Sequence, residues 1–215
     1  MKKIIFTALA VAAFGVAEAQ EIRFGAKVGA GASMFTGDVE DAEPKLSGHI
    51  GGFVEFKFKK FAIQPEILFS NVGAEWNYNY RSNNDWYYEG PIDNVQYTAN
   101  LYYLHVPVMA KYYVIDPLSV EFGPQLGILL DAETEYTTTY WNGSDTTNKE
   151  NVKDDLKTID LGLNFGATYN FKNRMFVSAR YTLGLIDIDD STPEPGESAT
   201  SIHNHVVQAS FGYKF

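Results

Sequence analysis

The sequence predicts an all-β protein, an eight-stranded antiparallel up-and-down transmembrane β-barrel, on three observations. From about Arg23 to Phe215 it divides into eight stretches in which every second residue is apolar. No Asp, Glu, Lys or Arg falls in those apolar sets, although charged residues make up 20% of the chain. The connections between stretches alternate between long and short. Hydrocarbon demands such an uncharged outer face, because a Lys or Arg at mid-bilayer costs roughly 2–4 kcal/mol, and closed strands leave no backbone polar group unpaired in lipid. A soluble lipocalin-like barrel or sandwich also alternates, but with charges outside and an apolar interior. The polar set here is rich in Gly, Ser, Thr and Asn with sparse charge, which suits a crowded lumen.

Each stretch can be read by parity. Phe24, Val28 and Met34 oppose Arg23, Lys27 and Ser33; Ile50, Val54 and Phe56 oppose His49, Glu55 and Lys57; Phe61, Ile63, Ile67 and Phe69 oppose Gln64, Glu66 and Ser70. Tyr102, Leu104, Val106 and Tyr112 oppose His105 and Lys111, and Val120, Phe122, Leu126 and Leu130 oppose Ser119, Glu121 and Gln125. Ile159, Leu161, Leu163 and Phe165 oppose Asp160, Asn164 and Thr168; Met175, Val177, Tyr181 and Leu183 oppose Ser178, Arg180 and Thr182; Val207, Phe211, Tyr213 and Phe215 oppose Gln208, Ser210 and Lys214. The short turns are Lys59-Lys60, Val114 to Pro117 and Asn170 to Arg174, with ordinary turn residues. Pro65, Pro107 and Pro124 each remove a ladder donor, so bulges are expected there.

Residues 1–19 read as a signal peptide: Lys2 and Lys3, an apolar run over Ile4 to Ala13 too short to span a bilayer, and an Ala17-Glu18-Ala19 cleavage pattern. Residues 20–215 then form one outer-membrane barrel domain, with both termini periplasmic and the long connections outside. The alternative for the leader is an N-terminal anchor. The chain has no Cys, which removes disulfides and thiolate metal sites.

The net charge is −10, and twenty acidic residues against five basic ones lie in the long connections, residues 36–46, 71–100, 131–157 and 186–203. Acidic loops exclude nucleic acid as a partner, since phosphate contacts need Lys and Arg. Solvation explains them most simply; cation bridging to lipopolysaccharide is the functional alternative.

The expected lumen polar network is Arg23, Lys27, Glu55, Lys57, Glu66, Lys111, Glu121, Asp160 and Arg180. Charges in so narrow an interior must pair, and an eight-stranded barrel is filled by its own side chains. A cross-braced plug is therefore favoured over a narrow porin-like conduit. Aromatic residues cluster at both ends as interfacial girdles; Trp76, Trp86 and Trp141 could alternatively stack sugars, and Trp76, Tyr78 and Tyr80 have lumen parity unless a bulge near Gly73 resets it. Catalytic patterns are weak. His203 and His205 could ligate a metal but lack an identifiable third ligand, Asp187, Asp189 and Asp190 lack a calcium-loop pattern, and a mouth-sited enzyme using Ser201, His203 and Asp187 is the least favoured reading. No enzyme activity, cofactor or metal is expected.

Several runs resemble the PorT-like outer-membrane β-barrel family of Bacteroidota: Gln64-Pro65-Glu66-Ile67-Leu68-Phe69-Ser70, Tyr103-Leu104-His105-Val106-Pro107 leading to Lys111-Tyr112-Tyr113, Gly123-Pro124-Gln125-Leu126-Gly127, Arg180-Tyr181-Thr182-Leu183-Gly184-Leu185, and Phe211-Gly212-Tyr213-Lys214-Phe215. Where family members often carry Glu, this chain has His105. The resemblance implies fold and location, with outer-membrane lipid and lipopolysaccharide as surroundings, but assigns no activity; the name-giving member is linked to protein secretion. Phe215 resembles the C-terminal aromatic signal read by the barrel-insertion machinery, and a protein partner through the external loops is expected. The overall expectation is a structural or interaction protein.

Overall fold

The computed structural model describes residues 21–79, 92–140, 142–191 and 201–215. The leader over residues 1–19, Tyr80, Trp86, Tyr87, Tyr88 and Trp141 lie outside them. Ten strands follow in order: β1 (Glu21–Gly37), β2 (Glu43–Phe58), β3 (Phe61–Val72), β4 (Ala74–Asn79), β5 (Ile92–Ile115), β6 (Leu118–Tyr140), β7 (Asp145–Asn151), β8 (Ile159–Asn170), β9 (Met175–Gly184) and β10 (Ile202–Lys214). Each pairs antiparallel with its neighbours, and β1 pairs with both β2 and β10, which closes the sheet. The closed ring has eight members. β3 and β4 act as one strand interrupted at Gly73, and β7 lies outside the ring as a flap on β6.

Gly73 has φ +151°, and a Cβ there would fall 1.9 Å from the Ala99 carbonyl oxygen, so only glycine fits this close approach. The pairing with β2 slips by one residue across it, from Gly48 opposite Asn71 to Pro44 opposite Ala74, while the register against β5 is unchanged. Trp76 therefore keeps its inward parity.

Burial alternates along the ring as the parity requires. In β1, Phe24 and Val28 are 59% and 52% exposed while Lys27 is 4% exposed, and Ile50, Ile67 and Val207 each stand 60% exposed on the outside. Water would not tolerate so continuous an exposed apolar belt, whereas lipid requires it. Aromatic pairs edge the belt at the short-turn rim: Phe61 with Tyr112, Tyr169 with Phe171, and Tyr213 with Phe215.

Two expectations are corrected. Pro65, Pro107 and Pro124 sit opposite Val108, Gln125 and Leu163 with no change of register around them. Each removes one donor without displacing its strand. The shifts within the β5–β6 ladder lie elsewhere, notably at Tyr102 and Tyr103, where Leu130 is the extra residue on β6. That bulge turns Ala132, and not Asp131, to the inside. The connections over residues 71–100 and 131–157 are also largely strand, because β4, β5, β6 and β7 extend well beyond the belt. Their Thr and Tyr side chains form cross-strand pairs, Thr137 with Thr147 and Tyr97 with Tyr136, that favour extended backbone without any apolar alternation.

Candidate functional site

The interior is built in two layers. The lower, toward the short turns, is ionic. Glu66 on β3 meets Lys27 on β1 at 2.6 Å and accepts two hydrogen bonds from the Arg180 guanidinium on β9 at 2.8 and 3.0 Å. The same guanidinium donates to Glu121 on β6 at 2.9 and 3.1 Å. Lys111 on β5 lies 3.2 Å from Glu121 and 3.9 Å from Glu55 on β2, and donates to Gln64 and to Thr168 on β8. Lys214 on β10 and the Tyr113 hydroxyl complete the shell of Glu55, at 2.8 and 2.9 Å. Side chains from all eight members of the ring thus enter one connected array. Gly166 leaves room for it, since a Cβ there would sit 3.1 Å from Glu121 Oε1.

Of the nine expected network residues, six lie in this array: Lys27, Glu55, Glu66, Lys111, Glu121 and Arg180. Three stand apart from it. Arg23 is partly exposed at the rim and pairs with Glu21 at 2.7 Å, because it lies one inward position nearer the solvent than Gly25. Lys57 places its ammonium 4.1 Å from the centre of the Tyr113 ring, a cation–π contact at the mouth. Asp160 is buried nearer the long-loop end of β8, opposite Gly127, against Asn204 and not against a base. Tyr113 is an addition; it shares the parity of Lys111, which is the signal that could have found it. Phe53 and Phe176 likewise have inward parity, and their rings pack edge to face at 5.5 Å inside the lumen over Gly25 and Gly212.

The upper layer is apolar. Phe35, Val72, Ala74, Leu101, Tyr103, Leu129, Ile188 and Val206 form a buried cluster, with Trp76, Leu156 and Ile202 packed on it. Ile188 comes from the last long connection and is fully buried. Its loop is tied down by backbone bonds from Lys157 to Ile188, Ile188 to Ile202 and Asp190 to Asp155. Above the cluster, an open recess of about 460 Å³ is lined by Phe35, Trp76, Leu101, Leu156, Ile188 and Ile202, among others.

Asp187 anchors this loop. Burial pushes its carboxyl up, but the Ile202 and Asp189 amides and the Lys157 ammonium at 2.8 Å outweigh this and hold its pKa at about 2. Asp189 accepts from the Ser191 amide at 2.9 Å. The Ser201 amide donates to Asp38, and His203 and His205 face outward, with His205 Nδ1 2.6 Å from the Tyr181 hydroxyl. Ser201, His203 and Asp187 share no hydrogen bond among the described residues. Among those residues no group of three or more His, Asp or Glu is placed to hold a metal.

A closed antiparallel ring, apolar outside and charged within, is the architecture of an outer-membrane β-barrel. The chain belongs to the family described as outer membrane protein beta-barrel domain, whose model matches residues 18–190. It is an outer-membrane protein. Among solved structures it is similar to Neisserial surface protein A, at 12% identity over 91% of this chain and 100% of that one, with a TM-score of 0.53. It is also similar to Ail, the attachment invasion locus protein of Yersinia pestis, solved in complex with the heparin analogue sucrose octasulfate, at 10% identity over 91% and 100% of the two chains, with a TM-score of 0.47. At these identities the likeness concerns the fold alone. No curated protein sequence matches the chain.

Proposed function

We propose that this barrel is a structural or interaction protein whose lumen is closed to solute and whose acidic, long-loop end is the working surface. The observation that carries the reading is the ion-paired array, to which all eight members of the ring contribute. Opening a path would separate Glu66 and Glu121 from Arg180, and buried carboxylates stripped of their partners are strongly unfavourable. The apolar cluster around Ile188 adds a second barrier above it. Between the layers, the recess near His105, Gln125 and Thr182 has a volume of about 10 Å³, no more than the room for one water.

On this reading the protein carries out no chemistry of its own. The leader is removed after Ala19, both termini face the periplasm, and the barrel-insertion machinery reads Phe215. Within the family the chain is of the PorT-like kind found in Bacteroidota; the supporting runs are those around Gln64 to Ser70 and Tyr103 to Pro107. Lipid and lipopolysaccharide surround the belt, and a protein partner meets the loops.

The competing reading is a narrow conduit, favoured by the basic excess of the array. Planar-bilayer recording of the purified barrel decides between them. No steady current steps are expected from the wild-type protein at neutral pH. Reproducible unitary steps would overturn the closed-lumen reading and establish the conduit.

A further inference from the structure

The recess above the apolar cluster is asymmetric in its chemistry. Its walls are Phe35, Trp76, Leu156 and Ile202, over a floor that includes the buried Leu101 and Ile188. The only charged residues lining it are two acids, Asp155 and Asp189. Asp189 accepts from the Ser191 amide and Asp155 is exposed, and neither carboxylate meets a Lys or Arg among the described residues. The lysines beside them in sequence are engaged elsewhere, Lys157 with Asp187 at 2.8 Å and Lys153 with the Leu130 carbonyl oxygen at 2.7 Å. A bridge between Leu156 and Asp189, and the bond from the Asp190 amide to the Asp155 carbonyl oxygen, tie the two acidic connections to each other.

The aromatic wall is equally fixed. Trp76 Nε1 donates to the Glu40 carbonyl oxygen at 3.2 Å, and its ring centre lies 6.0 Å from that of Phe35. With its N–H engaged, Trp76 offers only ring surface to the recess. Trp76 and Thr134 also line a second recess of about 360 Å³ with Tyr78 and Tyr97, whose rings meet edge to face at 5.6 Å. The two recesses therefore adjoin at Trp76.

A volume of about 460 Å³ with apolar walls and a few convergent polar groups is that of a small-molecule site. Its charge selects the ligand. An anion would be repelled by both carboxylates, and a neutral apolar molecule would use neither. Among the described residues no third acid or histidine joins them to hold a metal. We propose that this recess binds a small amphipathic organic cation, with its apolar or aromatic body against Trp76 and Ile188 and its ammonium or guanidinium head at Asp155 and Asp189. The aromatic faces reinforce the preference, since ring quadrupoles attract cations. The assignment rests on the reading of the long-loop end as the working surface, and not on closure of the lumen.

The test is an NMR titration of the full barrel in phosphatidylcholine nanodiscs at neutral pH, read at the Ile188 methyl signals so that partition of the probe into lipid does not register. The probes are phenylbutylammonium, phenylbutanol and phenylbutyrate, which share a body and differ in charge. The cation is expected to bind roughly 3–10-fold more tightly than the alcohol, the range that one or two partly exposed ion pairs supply, and the anion most weakly. Asp155→Asn combined with Asp189→Asn is expected to bring the cation and the alcohol to equal affinity, and Trp76→Ala to weaken both. No Ile188 shift with the cation at millimolar concentration would overturn the proposal. Equal binding of the cation and the alcohol by the wild type would overturn it in favour of a purely apolar recess, and a cation preference that survives the double substitution would overturn the role of the two acids. Conductance is read in a separate recording, so failure here and failure of the closed-lumen reading are distinguishable.

Discussion

The Arg180 guanidinium donates four hydrogen bonds, two to Glu66 and two to Glu121. Removing one partner of a buried, hydrogen-bonded charge cluster costs roughly 3–5 kcal/mol, because the carboxylates left behind cannot be rehydrated. Arg180→Met should therefore lower stability by about that amount, read from urea unfolding in lipid vesicles. Arg23→Ala, which breaks a half-exposed pair with Glu21, should cost about 0–1 kcal/mol in the same experiment. Comparable losses from the two would contradict the assignment of Arg180 to a dry interior. At this scale parity was a good guide to direction and a poor guide to partners. Lys27, Glu66 and Arg180 could be placed inside from alternation alone, but that Asp160 faces Asn204 depends on the stagger between β8 and β10, which no single strand encodes. Tyr113, Phe53 and Phe176 have inward parity too, and an aromatic ring fills a narrow lumen as well as a salt bridge does, but charge alone does not single them out.

Among the elements, the cap formed by the last long connection depends on Asp187. Its pKa is held at about 2, below the ordinary aspartate value, so its contribution to the cap is present above pH ~4 and is lost as pH falls toward 2. Amide protection factors at Asp189 and Ile202 should fall across that window, and Asp187→Asn should show the weakened protection already at pH 5. Unchanged protection in the variant would remove Asp187 from this role. The loop was legible only as an acidic connection, because a single buried Ile188 among Asp187, Asp189 and Asp190 leaves no periodic trace. The extended β5 and β6 were hidden for a related reason: Thr-rich and Tyr-rich strands above the belt have solvent on both faces and so lack a period of two. The prolines misled in the opposite direction. A proline whose missing donor faces one neighbour loses one bond, and flanking pairs such as Phe61 with Tyr112 and Leu68 with His105 hold the register.

For the whole molecule, the ring closes through β1 and β10, and Phe215 finishes it with a backbone bond to Phe24 at 2.8 Å while its ring stands 70% exposed beside Tyr213. On the proposed reading of this residue as an assembly signal, its deletion should reduce the amount of heat-modifiable barrel in outer membranes; wild-type amounts would refute that role. The ring itself was the most legible feature of all, because hydrocarbon excludes charge from one face of every strand at once and the constraint repeats eight times. That constraint is also the central claim, and the absence of cysteine makes it directly measurable with single spin labels. Labels introduced singly at Val28, Ile67 and Val207 in lipid vesicles should collide readily with apolar oxygen and poorly with a water-soluble nickel chelate. Free access of the chelate to all three would mean that water wets the outer face and would contradict the account.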